Sequence, residues 1–250
     1  LLPEGFFSTN FDVSRLRSSC ATCSLRELCL PVGLDDREIS VLGEVVSHKK
    51  KIPRGGYLYR ASIKFQTLYA IKSGFFKTCI LEEGGRQQVT GFHMTGELLG
   101  LDAISSDLHT CDAIALENSE VCEIPFAKLE EIGRTIPSLM RHFHKIMSRE
   151  IVRDHGVMVL LGSMKAEERL ASFLLNMSRR FAIRGYSETS FNLRMTREEI
   201  GSYLGLKLET VSRAFSKLQQ ESVISVNNKH IQIHDLERLK LKMGNSSCAT

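Results

Sequence analysis

Residues 196–220 read TREEIGSYLGLKLETVSRAFSKLQQ, and this stretch decides the architecture. Thr196 with Glu199 three residues on forms a capping box, in which each side chain satisfies a free amide at a helix start. Ile200 is apolar, and Gly201 beside it leaves room for a second helix to come close. Gly205, between Leu204 and Leu206, supplies a turn, after which Val211, Ala214 and Phe215 recur at helical spacing. Two short helices folded about a glycine turn are a helix-turn-helix pattern. With its apolar residues turned inward, the second helix turns outward Glu209, Ser212, Arg213 and Lys217. Arginine bonds a guanine edge through two donors, and glutamate accepts from a cytosine amino group. Lys207, Thr210, Ser216 and Lys217 suit phosphates. Residues 223–226 and 230–234 flank Asn227-Asn228 and read as a β-hairpin, which makes the unit a winged reader of double-stranded DNA.

The charge agrees with that assignment. Residues 165–250 carry 14 Lys and Arg against 9 Asp and Glu, whereas the first 164 carry 19 against 20. The whole excess of +4 therefore lies in the last third, as a polyanion binder requires.

Upstream of the reader the period is helical from Pro137 for about 25 residues. Met140, His144, Met147, Ile151, Asp154, Met158 and Leu161 follow one another at alternating steps of four and three. That heptad seam is the mark of a helix that pairs with its own copy. Phe143, Ile146, Val157 and Leu160 would face the helix's own domain. Asp154 sits in the seam, where two carboxylates meeting across a two-fold axis oppose pairing by repulsion and desolvation. Gly156 weakens the helix by about 1 kcal/mol relative to Ala. The dimer is therefore expected to be marginal. Gly162-Ser163 is expected to break the run and cap a further amphipathic helix carrying Leu170, Phe173, Leu174, Met177 and Phe181, with Arg179, Arg180 and Arg184 complementing its dipole.

Between Ile52 and Pro125 short apolar runs alternate with glycines. Residues 67–71, 75–81 and 88–93 are of strand length, and Glu82-Glu83-Gly84-Gly85 reads as a hairpin turn. A small antiparallel barrel or roll follows. The expected organisation is a cysteine-rich segment over 1–33, a roll over 34–135, a dimerisation helix over 136–163 and the winged reader over 164–250. The last residues, 244–250, read as a frayed tail.

Seven cysteines remain to be explained. Cys20, Cys23 and Cys29 form C-x2-C-x5-C, and three or four thiolates can hold a zinc ion or an iron–sulfur cubane. Unliganded thiols are the third reading. A second paired knuckle of the zinc type is absent from the sequence. Cys122, at the end of the roll, is the best fourth ligand; Cys79 and Cys111 fall in strand-like runs as core residues, and Cys248 lies in the tail.

The chain carries the pieces CATCSLRELCLP, TGFHMTGELLGLDAI, VCEIPF, MSREI and EEIGSYLGL…ETVSR. Over about residues 20–235 the chain resembles the FNR-type regulators (fumarate and nitrate reductase regulators) of the cyclic-AMP receptor protein superfamily. The resemblance implies an α+β fold: an N-terminal cluster loop on a cyclic-nucleotide-binding-like antiparallel β-roll, a long dimerisation helix and a C-terminal winged helix-turn-helix. It implies an oxygen-labile 4Fe–4S cluster on Cys20, Cys23, Cys29 and Cys122. It implies base reading by Glu209, Ser212 and Arg213 at a palindrome of TTGAT half-sites, and homodimerisation. It also implies contact with RNA polymerase through the hairpin near Glu82 and Arg86. Leu208 stands where the cyclic-AMP receptor has Arg, which supports the FNR-type site.

Cyclic-nucleotide binders of this fold grip phosphate with an Arg-Ser pair after their GE-x-x-G turn. From Gly96-Glu97 those positions fall on Cys111 and Asp112, and an acid there repels phosphate, so no cyclic nucleotide is expected. A zinc-stabilised or cyclic-nucleotide-type regulator of the same fold is the alternative. No phosphate-cradling glycine loop or G-x-S-x-G elbow is present, so an enzyme is not expected. No run approaches the roughly 18 apolar residues of a membrane span. Nothing near Leu1 resembles an export signal, so a cytoplasmic protein is expected, and the lack of an initiator Met leaves the natural start open.

Overall fold

The glycine-punctuated middle of the chain folds into two antiparallel sheets, as its short alternating runs dictate. In the computed structural model residues 20–46, 48–82 and 84–243 are described. The first 19 residues of the cysteine-rich segment, Glu83 of the expected turn, and the tail with Cys248 lie outside the described residues.

Helix α1 (Asp36–Val45) opens on a capping box between Asp35 and Glu38. Strands β1 (His48–Ile52), β2 (Tyr57–Tyr59), β3 (Thr67–Ser73), β4 (Phe75–Leu81), β5 (Gln87–Met94), β6 (Leu98–Leu99), β7 (Asp112–Ala115) and β8 (Ser119–Pro125) follow. They form two four-stranded sheets in the orders β1-β8-β3-β6 and β2-β7-β4-β5. The expected hairpin is β4–β5, closed by Leu81 opposite Gln87. Helices α2 (Phe126–Thr135), α3 (Pro137–Ser163) and α4 (Ala166–Ile183) lead to the reader. There β9 (Ser190–Asn192), α5 (Arg197–Leu204), α6 (Leu208–Gln220), β10 (Ile224–Asn227), β11 (His230–Ile233) and α7 (Leu236–Leu241) complete the chain. Among the described residues no helix is long and apolar enough to cross a membrane.

Two expectations change. The helix break does not fall at Gly162-Ser163: α3 continues through Ser163, whose hydroxyl donates to the Val159 carbonyl at 2.7 Å. A serine bonded back one turn stays helical instead of capping its successor. Met164 is extended, and Lys165 takes the cap position, its amide bonded to Glu168. The wing also gains a third strand, since β9 pairs with β11 outside the expected hairpin.

One core joins Leu30, Leu34, Ile39 and Leu42 to Leu68, Ile124, Leu129, Leu139 and Phe143, so the start of α3 is part of the roll. A second core runs from Phe75, Val89, Phe92 and Met94 of the roll into Leu170, Phe173, Leu174, Ile200, Val211 and Phe215 of the reader. The roll and the reader are thus packed against one another through β5.

Candidate functional site

Cys20, Cys23 and Cys29 lie in successive tight turns, with Cys23 N–H donating to the Cys20 carbonyl at 3.2 Å and Val32 N–H to that of Cys29 at 3.2 Å. Cys122 comes from β8, where it stands opposite Lys49 on one side and Ala70 on the other. The four cysteines line one cavity of about 320 Å³ together with Lys49, Lys72 and Arg26. Burial pushes the Cys20 thiol up to about 11, and its neighbours Cys122 and Cys23 add to the shift, while Lys49 opposes it. Burial likewise takes Cys29 to about 12 and raises Cys122, which Lys49 and Lys72 pull back. Cys20, Cys29 and Cys122 therefore resist ionising, and a cationic group bound among them would reverse that balance. Among the described residues no three Cys, His, Asp or Glu side chains stand close enough to hold a single metal ion. The two other described cysteines are buried, as read from the sequence; Cys79 lies within β4, whereas Cys111 sits just before β7 and not in the strand expected for it. The Asp112 carboxylate accepts from the Ala61 amide at 2.8 Å.

The reader's local chemistry is as its sequence dictates. Thr196 Oγ1 accepts from the Glu199 amide at 3.1 Å, and the Glu199 carboxylate accepts from the Thr196 amide at 2.7 Å. Gly205 adopts φ +63° at the turn, and a Cβ on Gly201 would lie 2.6 Å from the Leu206 carbonyl oxygen. Val211, Ala214, Phe215 and Leu218 are buried, so α6 presents Glu209, Arg213 and Lys217 to solvent with Ser212 half-buried beside them. Lys217 is engaged by Glu167 at 2.7 Å, and Leu208 is an exposed apolar side chain on the same helix.

The two ends of the seam differ. Met140 packs against Gly133 and Met147 against the roll core, whereas Ile151, Met158 and Leu161 are exposed, as are Asp154, Val152 and Val159.

A cluster of charges went unread in the sequence. The Glu97 carboxylate accepts from Arg180 at 2.7 Å and Arg184 at 2.6 Å, both on α4, and Arg153 of α3 approaches to 3.8 Å. Burial alone would raise the Glu97 carboxyl, but Arg180, Arg184 and Arg153 hold it down at about 2. Arg180 and Arg184 thus bind the roll instead of merely complementing the dipole of α4. Their i, i+4 spacing on one face was the available signal, although nothing local names the acid they meet.

Residues 49–135 match the cyclic nucleotide-binding domain family, and residues 168–241 match the Crp-like helix-turn-helix domain family. The chain is 43% identical to the transcriptional regulatory protein Btr of Bordetella pertussis, over 92% of this chain and 95% of that one. It is 42% identical to the fumarate and nitrate reduction regulatory protein of Escherichia coli over 98% of each. The solved structure of FixK2 from Bradyrhizobium japonicum superposes with a TM-score of 0.72 at 30% identity, covering 78% of this chain and 96% of that one. With a roll, a long helix and a winged reader in that order, and relatives matched along nearly the whole chain that include regulators of the FNR type, the protein belongs to the CRP/FNR family of DNA-binding transcription regulators, which are not enzymes.

Proposed function

We propose that this chain is an oxygen-responsive transcription regulator in which a 4Fe–4S cluster on Cys20, Cys23, Cys29 and Cys122 promotes homodimerisation and binding to a TTGAT-type palindrome. The observation that carries the reading is the gathering of these four thiols, from two distant parts of the chain, around one cavity. The donor set fits, since iron–sulfur clusters are held by cysteine thiolates. Lys49 and Lys72 in the wall offset the negative charge that four thiolates bring. When bound, the group supplies an oxygen-labile tie between the turn segment and β8.

The rest follows from the chain's own residues. The turn segment shares a core with the first half of α3, and His142 of that half is hydrogen-bonded to the backbone of Cys29. Ordering the turn segment therefore bears directly on α3. Pairing runs along Ile151, Asp154, Met158 and Leu161, with Met147 half-buried against the roll at the near end of the seam, and Asp154 keeps it weak enough for a small bias to decide it. Two paired chains span half-sites one helical turn apart. Each offers Glu209, Ser212 and Arg213 to base edges and Lys217 to phosphate. The β4–β5 tip, with Ile80 and Leu81 exposed, is the surface offered to RNA polymerase. No cyclic nucleotide is used, because Glu97 is occupied by the reader's arginines and Asp112 repels phosphate. The protein works in the cytoplasm, beside its DNA.

Purification without oxygen tests this reading. A brown protein with about four irons per chain, bleached by air, is expected. A colourless protein that carries zinc contradicts it.

A further inference from the structure

A symmetric DNA site demands that each reader keep a fixed angle to the helix along which the chains pair. At the covalent junction Arg169 of α4 donates to the Leu161, Met164 and Leu204 carbonyls at 2.9 Å each, which ties the reader to the end of α3. Met164 itself is extended between the two helices, and Gly162 has open space around it. Lateral contacts with the roll add a second hold on the angle. Val89 N–H donates to Ser202 Oγ at 2.8 Å, Gln88 bonds the Ser202 carbonyl, and Lys77 pairs with Glu199 at 2.9 Å. Arg180 and Arg184 also donate to the Phe92 and Thr95 carbonyls at 2.7 Å each.

Glu97 stands where these contacts converge. Its side chain is 17% exposed, Arg180 and Arg184 are more deeply buried still, and Arg153 is only a little more open. One carboxylate thus takes donors from α4 of the reader and lies beside α3 of the pairing helix. Its own place is fixed by β3, since Gly96 N–H donates to the Ile71 carbonyl and Ile71 N–H to that of Glu97. Gly96 has φ +89°, and a Cβ there would lie 2.9 Å from Leu28 Cβ, so the cysteine segment rests on this same turn.

We propose that Glu97 is the positioning residue that sets the angle between the DNA reader and the pairing helix, acting through Arg180 and Arg184. This rests on α6 as the DNA reader and not on what the cysteines bind. The exposed faces of α6 and of the second half of α3 are both free in this arrangement.

Amide hydrogen exchange on the anaerobically purified protein tests the role first. Glu97→Gln, neutral and of equal size, is expected to speed exchange where β5 meets α5, over residues 87–94 and 197–204. The β3 and β8 amides stay protected. Unchanged exchange at that contact, or a rise throughout the chain, overturns the proposal. DNA binding gives the second readout, on duplexes carrying the palindrome at its natural spacing and with one base pair added. Glu97→Gln is expected to lose about tenfold in affinity for the natural duplex and to lose its preference between the two. A double variant with Arg184→Gln is expected to lose less than the sum of the two single variants, because the Glu97–Arg184 contact is common to both. Full affinity, additive losses, or tighter binding by the variant overturn the proposal. Should Glu97→Gln not fold, Arg184→Lys, which keeps the charge and loses the reach, is measured in the same two ways. A wild-type protein that ignores the palindrome counts against the target sequence alone, and the exchange result then decides the role of Glu97.

Discussion

The two halves of α3 carry similar apolar side chains and use them in opposite ways. In the first half Leu139 and Phe143 are 0% and 2% exposed, sealed into the roll with the cysteine segment. In the second half Ile151 and Met158 are 56% and 67% exposed, on the same helix and without an interruption. An exposed apolar stripe at heptad spacing has no use for the isolated chain. The first half belongs to the fold, and the second is left uncovered, as the proposed pairing requires.

The sharpest way to break this contrast is truncation on each side. Phe143→Ala is expected to destabilise the fold by about 3–5 kcal/mol, as loss of a buried ring does. Ile151→Ala is expected to leave the cluster-free chain within about 0.5 kcal/mol of wild type while abolishing the dimer. Urea unfolding and sedimentation equilibrium separate the two outcomes. Equal destabilisation by both would dissolve the distinction. Next comes Asp154→Ala, which removes the opposed carboxylates and is expected to raise dimerisation of cluster-free protein at least about tenfold. A variant as monomeric as wild type means Asp154 does not weaken the seam.

The exposed face of α6 extends the contrast to DNA. Arg213→Ala is expected to cost about 1–3 kcal/mol of binding and to relax base preference at one position, with the fold intact. Lys217→Ala should weaken binding evenly across sequences, and less, because Glu167 already engages that ammonium. Competition binding against duplexes of altered sequence reads both.

The smallest effect is one of pH. Burial lowers the His142 pKa below its ordinary 6.5, with Arg149 adding to the shift. The stability this histidine contributes is therefore present above pH 6.5 and declines as the pH falls below it. His142→Gln is expected to flatten that part of the stability–pH curve in unfolding experiments, and an unaltered slope assigns the decline elsewhere.

What was legible in the sequence was local. The capping box at Thr196, the turn at Gly205 and the hairpin of β4 and β5 each depend on a few neighbouring residues, and each stands where read. The seam was half legible: its period is regular, but periodicity does not tell a face turned toward a partner from one turned toward the roll, and Met140 and Met147 went to the roll. The cysteines could be grouped by spacing for three and only by place in the fold for the fourth. Glu97 was illegible as a contact, because its arginines lie more than 80 residues away and only folding brings them to it. Ser163 failed as a cap for a local reason, having found an acceptor one turn back.

If the four cysteines govern pairing of the second half of α3, sedimentation of the anaerobically purified protein before and after exposure to air will show it. A brown dimer that becomes a colourless monomer and leaves the palindromic duplex is expected. A protein whose oligomeric state is the same in both samples, or which is a colourless zinc-bound dimer from the start, contradicts it.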